Sequence, residues 1–198
     1  MVPEGELVHL RERILNETIR LIQRQGFTFT VSDLARVLAI SKRTIYEHFS
    51  SKEEIVEHII DGMIRHIQQR EREIAADEGL TVLEKIHQIL ICLPQEMEQM
   101  DLGMLPDLKR THYAQWEKLD TFFREEWGIV TELMERGMAE GSIKRIHMPL
   151  FIDLYLGSLH QIYDSRATVK HQLPLGELLQ SVMDILLYGI AAEKWEES

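Results

Sequence analysis

The stretch that decides the fold is residues 28–52, which read TFTVSDLARVLAISKRTIYEHFSSK. Thr30 is followed three residues later by Asp33, a capping-box-like pair that predicts a short helix ending near Leu38. Residues 39–41 form a tight connection, and Ser41 is a good N-cap for a further helix that we expect to run through Phe49. Two short helices joined in this way predict a helix-turn-helix.

The same stretch separates apolar positions from polar ones. Small Ala35 permits close approach of the following helix, and Ile40 fills the turn between the two helices. Ile45 and Phe49 are four residues apart and are predicted to point into a core. The side chains left outward are Lys42, Arg43, Thr44, Tyr46 and His48. Such groups donate hydrogen bonds to phosphates and to base edges in a major groove.

The alternative to a DNA-binding motif is a packed helical hairpin whose basic face only contacts solvent. A charge cluster of this size would by itself favour that alternative. The coincidence of two caps, a small-residue position, a short turn and an outward set of donors favours DNA binding instead.

Helical periodicity extends on both sides of this stretch. Apolar residues at three- and four-residue steps predict a first helix over 7–22, which Gly26 can close as the residue after the C-cap. On the other side, Ser51 with Glu54 predicts the start of a long fourth helix that runs towards Ala76.

The remaining helices are predicted from caps and breaks. Thr81 with Glu84 caps a helix that Pro94 should kink. We expect a loop over 101–107 and then two helices over 107–139, broken near Asp120. Further helices are predicted over 149–167 and from Pro174 to about Ala192. About nine helices and no strands make an all-α protein with domains 1–53 and 54–198.

Charge supports a short nucleic-acid contact on an acidic body. The chain has 198 residues and a net charge of −11. Within residues 36–52 the balance reverses, because only Glu47 opposes a set of four cations. These cations are Arg36, Lys42, Arg43 and Lys52. A basic island of this kind fits a module that meets DNA over a small area.

Several other classes of function find no support in the sequence. No apolar run approaches the ~20 residues that span a bilayer, and the acidic N-terminus is not a signal peptide, so we expect a cytoplasmic protein. Cys92 is the single cysteine and has apolar neighbours in the sequence. The nine histidines show no metal-binding spacing and no glycine loop cradles a phosphate. We therefore expect no catalytic residues, no metal and no cofactor.

Residues 10–57 resemble the DNA-binding region of TetR-family regulators of bacteria. The matching residues are Gly26-Phe27, Thr30-Val31, Asp33-Leu34-Ala35, Ser41-Lys42, Thr44-Ile45-Tyr46, His48-Phe49 and Ser51-Lys52-Glu53. The resemblance implies that bases are approached by Lys42, Arg43 and Thr44. It implies that phosphates are bound by Thr30, Tyr46, His48 and Lys52. Arg43 stands where the family often has a small residue, so it either extends readout to a guanine or adds a phosphate contact.

The resemblance also implies a homodimer. Residues 149–192 would pair with their copies in a four-helix bundle, and the apolar stripe of the last helix is wider than one chain needs to cover. A two-fold dimer presents its recognition helices to successive major grooves ~34–36 Å apart, so the operator should be a near-palindrome. The alternative is that both helices form an internal core.

Methionine and aromatic residues in the body suggest a pocket for a small apolar effector that releases a repressor from DNA. Ordinary core packing explains such residues equally well. The candidates are Met97, Met100, Met104, His112, Trp116, Phe123, Trp127, Tyr155 and Tyr163. A second interpretation of the whole chain is an all-α ligand-binding or protein-interaction module without operator binding.

Overall fold

The computed structural model describes residues 4–94, 104–163 and 173–189, and the structural statements below concern these residues. They form ten α-helices and one 3-10 helix and contain no strand, which confirms the all-α prediction. The first five helices are α1 (Glu4–Gln25), α2 (Val31–Leu38), α3 (Lys42–Tyr46), α4 (Lys52–Ala76) and α5 (Val82–Leu90), with the 3-10 helix at Gly26–Thr28. The others are α6 (Met104–Thr111), α7 (Tyr113–Glu125), α8 (Gly128–Glu140), α9 (Met148–Tyr163) and α10 (Leu175–Tyr188).

The predicted helix caps are confirmed where they are local. Thr30 and Thr81 each form a capping box with the acidic residue three positions later. Ser41 caps α3, and the backbone of Gly26 has the positive φ of +69° that closes α1. These caps explain why the helices start where they do, since each satisfies backbone N–H groups that have no partner within the helix.

Four boundaries differ from the predictions. The loop expected over 101–107 is wrong from Met104 onward, where α6 begins; Pro106 lies in its first turn, a position that needs no backbone N–H. The two helices expected over 107–139, with a break near Asp120, are three helices with breaks at residue 112 and at residues 126–127. Pro94 does not kink α5, because that helix ends at Leu90. Helix α3 ends at Tyr46, and a further turn leads to Phe49.

The chain divides into two compact units, the first made of 1–65 and 100–121 and the second of 66–99 and 122–198. The first unit thus holds the predicted DNA-binding domain together with α6 and most of α7. Helix α4 contributes residues to both units, as does α7. This division is not the boundary after residue 53 that we expected, and the division by function stays a prediction.

The core of the first unit lies beneath α2 and α3. Ile14, Leu34, Ile45 and Ile55, from four different helices, are fully buried together with Phe49. Burying a side chain of this size stabilises the fold by about 1.5–3 kcal/mol. This core fixes the orientation of the two short helices, which are too short to be stable alone.

The second unit is held by close packing of α5 on α8. A Cβ added to Gly137 would lie 2.5 Å from the side chain of Ile143 and 3.1 Å from that of Val82, so a larger residue there would force the Ile143 side chain to shift. Helix α10 also packs on α5, where His87 lies 3.2 Å from Asp184. No helix within the described ranges is long and apolar enough to cross a membrane.

Large apolar side chains are exposed on the last two helices. Leu150 and Leu154 on α9 are each more than half exposed, as are Ile185 and Tyr188 on α10. In each pair the residues are three or four positions apart, so each pair lies on one face of its helix. The rest of the predicted dimerisation segment, at 164–172 and 190–192, lies outside the described residues.

Candidate nucleic-acid interface

Helix α2 begins at Thr30 with a complete set of capping hydrogen bonds. The hydroxyl oxygen of Thr30 accepts from the backbone N–H of Asp33 at 3.2 Å, and its backbone N–H donates to the Asp33 carboxylate at 3.0 Å. The Thr30 hydroxyl also donates to that carboxylate at 2.6 Å. These bonds lower the pKa of Asp33, with a smaller contribution from Arg36. Thr30 is exposed at the end of the helix where backbone N–H groups attract anions.

A left-handed residue makes the turn between α2 and α3. Ala39 has φ 54°, and among the described residues it is the only one other than glycine with a positive φ. The N–H groups of Ala39 and Ile40 donate to carbonyls of the last turn of α2. Ile40 is half-buried, in keeping with its predicted place in the turn.

Helix α3 presents its polar side chains above two buried anchors. Ser41 accepts from the N–H of Thr44 at 3.0 Å and starts the helix. Ile45 and Phe49 are buried, as predicted. Three of the expected DNA contacts are well exposed, whereas two are half-buried. Lys42, Arg43 and Tyr46 are the exposed residues, and Thr44 and His48 are the half-buried ones.

Carboxylates already pair with two of the four cations of residues 36–52. Arg43 Nε lies 3.2 Å from Glu47 Oε1, one helical turn away. On α2, Arg36 lies 3.2 Å from Asp33. Lys42 makes no ion pair with any residue that the structure describes. The unpaired positive charge of residues 36–52 is therefore smaller than the sequence count suggests.

Arg11 on α1 braces the turn after α3. Its guanidinium donates to the carbonyl oxygen of His48 and lies 4.2 Å from the centre of the Phe49 ring. It is also 2.7 Å from His58 Nε2 and 3.6 Å from Glu54. Arg11 could not be recognised from the sequence, because a basic residue on a first helix gives no indication of a contact 37 positions away.

Lys52 turns its ammonium towards the protein. Its Nζ donates to the carbonyl oxygen of Phe27 at 2.5 Å and lies 4.4 Å from the centre of the Phe29 ring. Burial lowers the pKa of Lys52. Its expected phosphate contact stays a prediction, and in this conformation Lys52 holds the 3-10 helix against the start of α4.

Helix α6 docks on the same 3-10 helix. The backbone N–H of Phe27 donates to the Asp107 carboxylate at 3.1 Å. His112 is buried with its ring edge-on to Phe27, at 6.0 Å between centroids. Neither ring nitrogen of His112 has a hydrogen-bond partner among the described residues. Burial and the Lys52 ammonium lower the pKa of His112, although the Phe27 backbone and nearby carboxylates oppose part of this shift.

A second feature is a cleft within the second unit, between α4, α5, α7 and the helices that follow. Of the nine predicted ligand contacts, Phe123, Trp127 and Tyr155 line it. His112 and Trp116 do not line it and belong to the first unit. Met97 and Met100 lie outside the described residues, as do the side chains of Met104 and Tyr163.

Sequence reasoning missed three polar residues of the cleft wall, Glu71, Cys92 and Glu126. They are distant in sequence from one another and follow no motif. Within the described residues, no group of three or more His, Cys, Asp or Glu side chains could hold a metal ion.

The fold, the short turn and the polar face of α3 define a helix-turn-helix of the class that binds DNA. Residues 14–59 match the family described as bacterial regulatory proteins, tetR family. The chain is also 45% identical over 183 residues to YvaF, an uncharacterised HTH-type transcriptional regulator of Bacillus subtilis (strain 168), with 92% of this chain and 96% of that protein covered. The chain therefore belongs to the TetR family.

Solved structures of this family share the fold. PfmR of Thermus thermophilus has a TM-score of 0.66 at 21% identity, covering 90% of this chain and 99% of that one. FadR of Bacillus subtilis, solved in complex with stearoyl-CoA, has a TM-score of 0.61 at 19% identity, covering 91% and 99%.

Proposed function

We propose that the protein is a homodimeric repressor that binds a near-palindromic operator through α3 and leaves it when a small effector binds the cleft. One observation carries the DNA-binding part. Lys42, Arg43 and Tyr46 stand exposed on α3 while Ile45 and Phe49 lock the helix into the core below. A rigid helix that presents cations and a phenol is suited to entering a major groove.

The proposed contacts divide by the part of DNA that they meet. Lys42, Arg43 and Thr44 would approach bases, since they occupy the N-terminal end of the recognition helix. Phosphates would be bound by Thr30, Tyr46, His48 and Lys52. Arg43 would have to exchange Glu47 for a guanine, and Lys52 would have to exchange the Phe27 carbonyl for a phosphate.

Exposed apolar faces support the homodimer. Leu150 and Leu154 on α9, with Ile185 and Tyr188 on α10, give two helices a surface that an isolated chain would leave in water. Sedimentation should show a dimer, and Leu154→Glu should shift it towards monomer. The matched variant Val37→Glu, at an exposed valine on α2, should leave the dimer intact. A dimer unaffected by Leu154→Glu would exclude this face.

Helix α4 supports a route for release by an effector. It starts at Lys52, and its later turns supply Ile67 and Glu71 to the cleft wall. An effector that moves these residues would bias the angle of α4 and thereby change the separation of the two recognition helices.

A genomic-fragment selection followed by gel shift tests operator binding. The wild-type protein should retain a short near-palindromic fragment, and Tyr46→Ala or Lys42→Ala should weaken binding about tenfold or more with no loss of helicity. Tyr113→Ala removes a similarly exposed tyrosine from α7 and serves as the control. If no fragment is retained even at low salt, the all-α ligand-binding or protein-interaction module becomes the better account.

A further inference from the structure

The walls of the cleft are apolar and aromatic. Trp127 and Tyr155 are buried and meet edge to face, with 5.5 Å between ring centroids. The cleft has a cavity volume of about 40 Å³, which is space for about three water molecules. A larger ligand must therefore displace a wall side chain, and half-buried Phe123 is less enclosed than either ring.

Both aromatic donors in this wall are already engaged. The indole N–H of Trp127 donates to the carbonyl oxygen of Phe123 at 2.9 Å. The hydroxyl of Tyr155 donates to the carbonyl oxygen of Leu90 at 2.6 Å. Each of these groups has a single hydrogen to donate. The two rings consequently have no N–H or O–H left for an anion.

The wall also holds two carboxylates, Glu71 and Glu126. Neither makes an ion pair within 4 Å or a hydrogen bond to any residue that the structure describes. Glu71 is half-buried, and burial together with the charge of Glu126 raises its pKa to about 7, with Arg72 opposing the shift. Glu126 is exposed, so the cost of an unpaired carboxylate against the apolar wall falls on half-buried Glu71, and a bound cation reduces that cost.

We propose that the cleft takes an organic monocation, whose ammonium group lies against Glu71 and Glu126 while its apolar body contacts Trp127 and Tyr155. The inference rests on the proposed function and names the class of effector for it. The wall offers two carboxylates as acceptors and no free N–H or O–H from its aromatic rings, so it favours a ligand with a positive charge. Aromatic rings attract cations as well. The net charge of −11 opposes an anionic ligand in the same way.

Direct binding to the DNA-free protein tests this assignment with three probes of similar size. Titration calorimetry would compare 2-phenylethylammonium, neutral 2-phenylethanol and anionic 3-phenylpropionate. We expect the cation to bind about tenfold or more tightly than the alcohol, and the anion to bind least. Glu71→Gln and Glu126→Gln should each remove most of that preference and leave 2-phenylethanol binding unchanged, whereas Glu135→Gln, on the exposed surface of α8, should change nothing.

Four outcomes would overturn the assignment. The first three are equal affinity for the cation and the alcohol, preference for 3-phenylpropionate, and a cation preference that survives both glutamine variants. The fourth is competition between stearoyl-CoA and the cation that is the same in wild type and in Glu71→Gln. Because these measurements need no DNA, a negative result for the effector class can be distinguished from a negative result for operator binding. A protein that retains its operator but shows no cation preference loses only this inference.

Discussion

Replacing His112 with leucine should make the protein more stable, and increasingly so in mild acid. The imidazole is 4% exposed, and neither of its nitrogens has a hydrogen-bond partner among the described residues. Burying such a polar group without a partner costs about 1–3 kcal/mol, part of which is offset by the edge contact with Phe27, worth about 0.5–1.5 kcal/mol. We therefore expect His112→Leu to raise the free energy of unfolding by about 1 kcal/mol at pH 8.

The stability of the wild-type protein should also depend on pH through His112. Because the pKa of His112 is lowered from its ordinary 6.5, the unfolded chain takes up a proton at a pH where the folded chain does not. Wild-type stability therefore falls as the pH drops below 6.5, and the leucine variant lacks this loss. Between pH 6.5 and 5.5 the difference in free energy of unfolding between His112→Leu and wild type should widen by at most about 1 kcal/mol. This is the most that one histidine can contribute over this range when only the unfolded chain takes up the proton.

Urea unfolding followed by circular dichroism at pH 8.0, 6.5 and 5.5 measures both effects, at one protein concentration because a dimer's stability depends on it. His9→Leu, at an exposed position on α1, is the matched control and should show no widening gap. A gap between wild type and His112→Leu that stays constant from pH 8.0 to 5.5 would refute the reasoning about the pKa. A variant less stable than wild type at pH 8.0 would refute the cost assigned to the unpartnered ring.

Three further predictions concern the DNA face, the 3-10 helix and the cleft. Glu47→Gln should free Arg43 and tighten binding to DNA of random sequence a few-fold in a gel shift, and an unchanged affinity would contradict the ion pair. Arg43→Ala should weaken operator binding about tenfold, and an unchanged affinity would contradict the DNA contact of Arg43. Gly26→Ala should destabilise by about 1–2 kcal/mol in urea, because its φ is +69°, while Gly62→Ala inside α4 should stabilise by up to about 1 kcal/mol; the reverse order would refute the backbone argument. Tyr155→Phe should cost about 1 kcal/mol of stability through the lost hydrogen bond, and an unchanged unfolding midpoint would show that bond to be absent in solution.

Local interactions explain what could be predicted from the sequence. The caps at Thr30, Ser41 and Thr81 act across three residues, so residue types and their spacing are enough to find them. Ile45 and Phe49 were recognisable as buried for the same reason, since one helical turn separates them. These features place the helix-turn-helix and its outward face.

Contacts between distant residues explain what could not be predicted. Asp107 reaches the backbone of Phe27 across 80 positions, and no periodicity in either segment announces that bond. Pro106 close to a glycine suggested a loop, although proline also suits the first turn of a helix. In the cleft, Glu71 and Glu126 line one wall only because α4 lies near the segment after α7. A list of aromatic residues therefore found part of the wall and missed its charge.

The pairing of Arg36 with Asp33 and of Arg43 with Glu47 has a consequence for how the protein searches a genome. DNA of random sequence binds a regulator mainly because the contact releases ions condensed on the duplex. An arginine that is already paired with a carboxylate of the protein releases fewer of these ions. The affinity for non-cognate DNA should therefore be low, and it should change little with salt concentration. At the operator, base edges can compete for Arg43, so the same pairing widens the ratio of specific to non-specific affinity that decides occupancy among millions of competing sites.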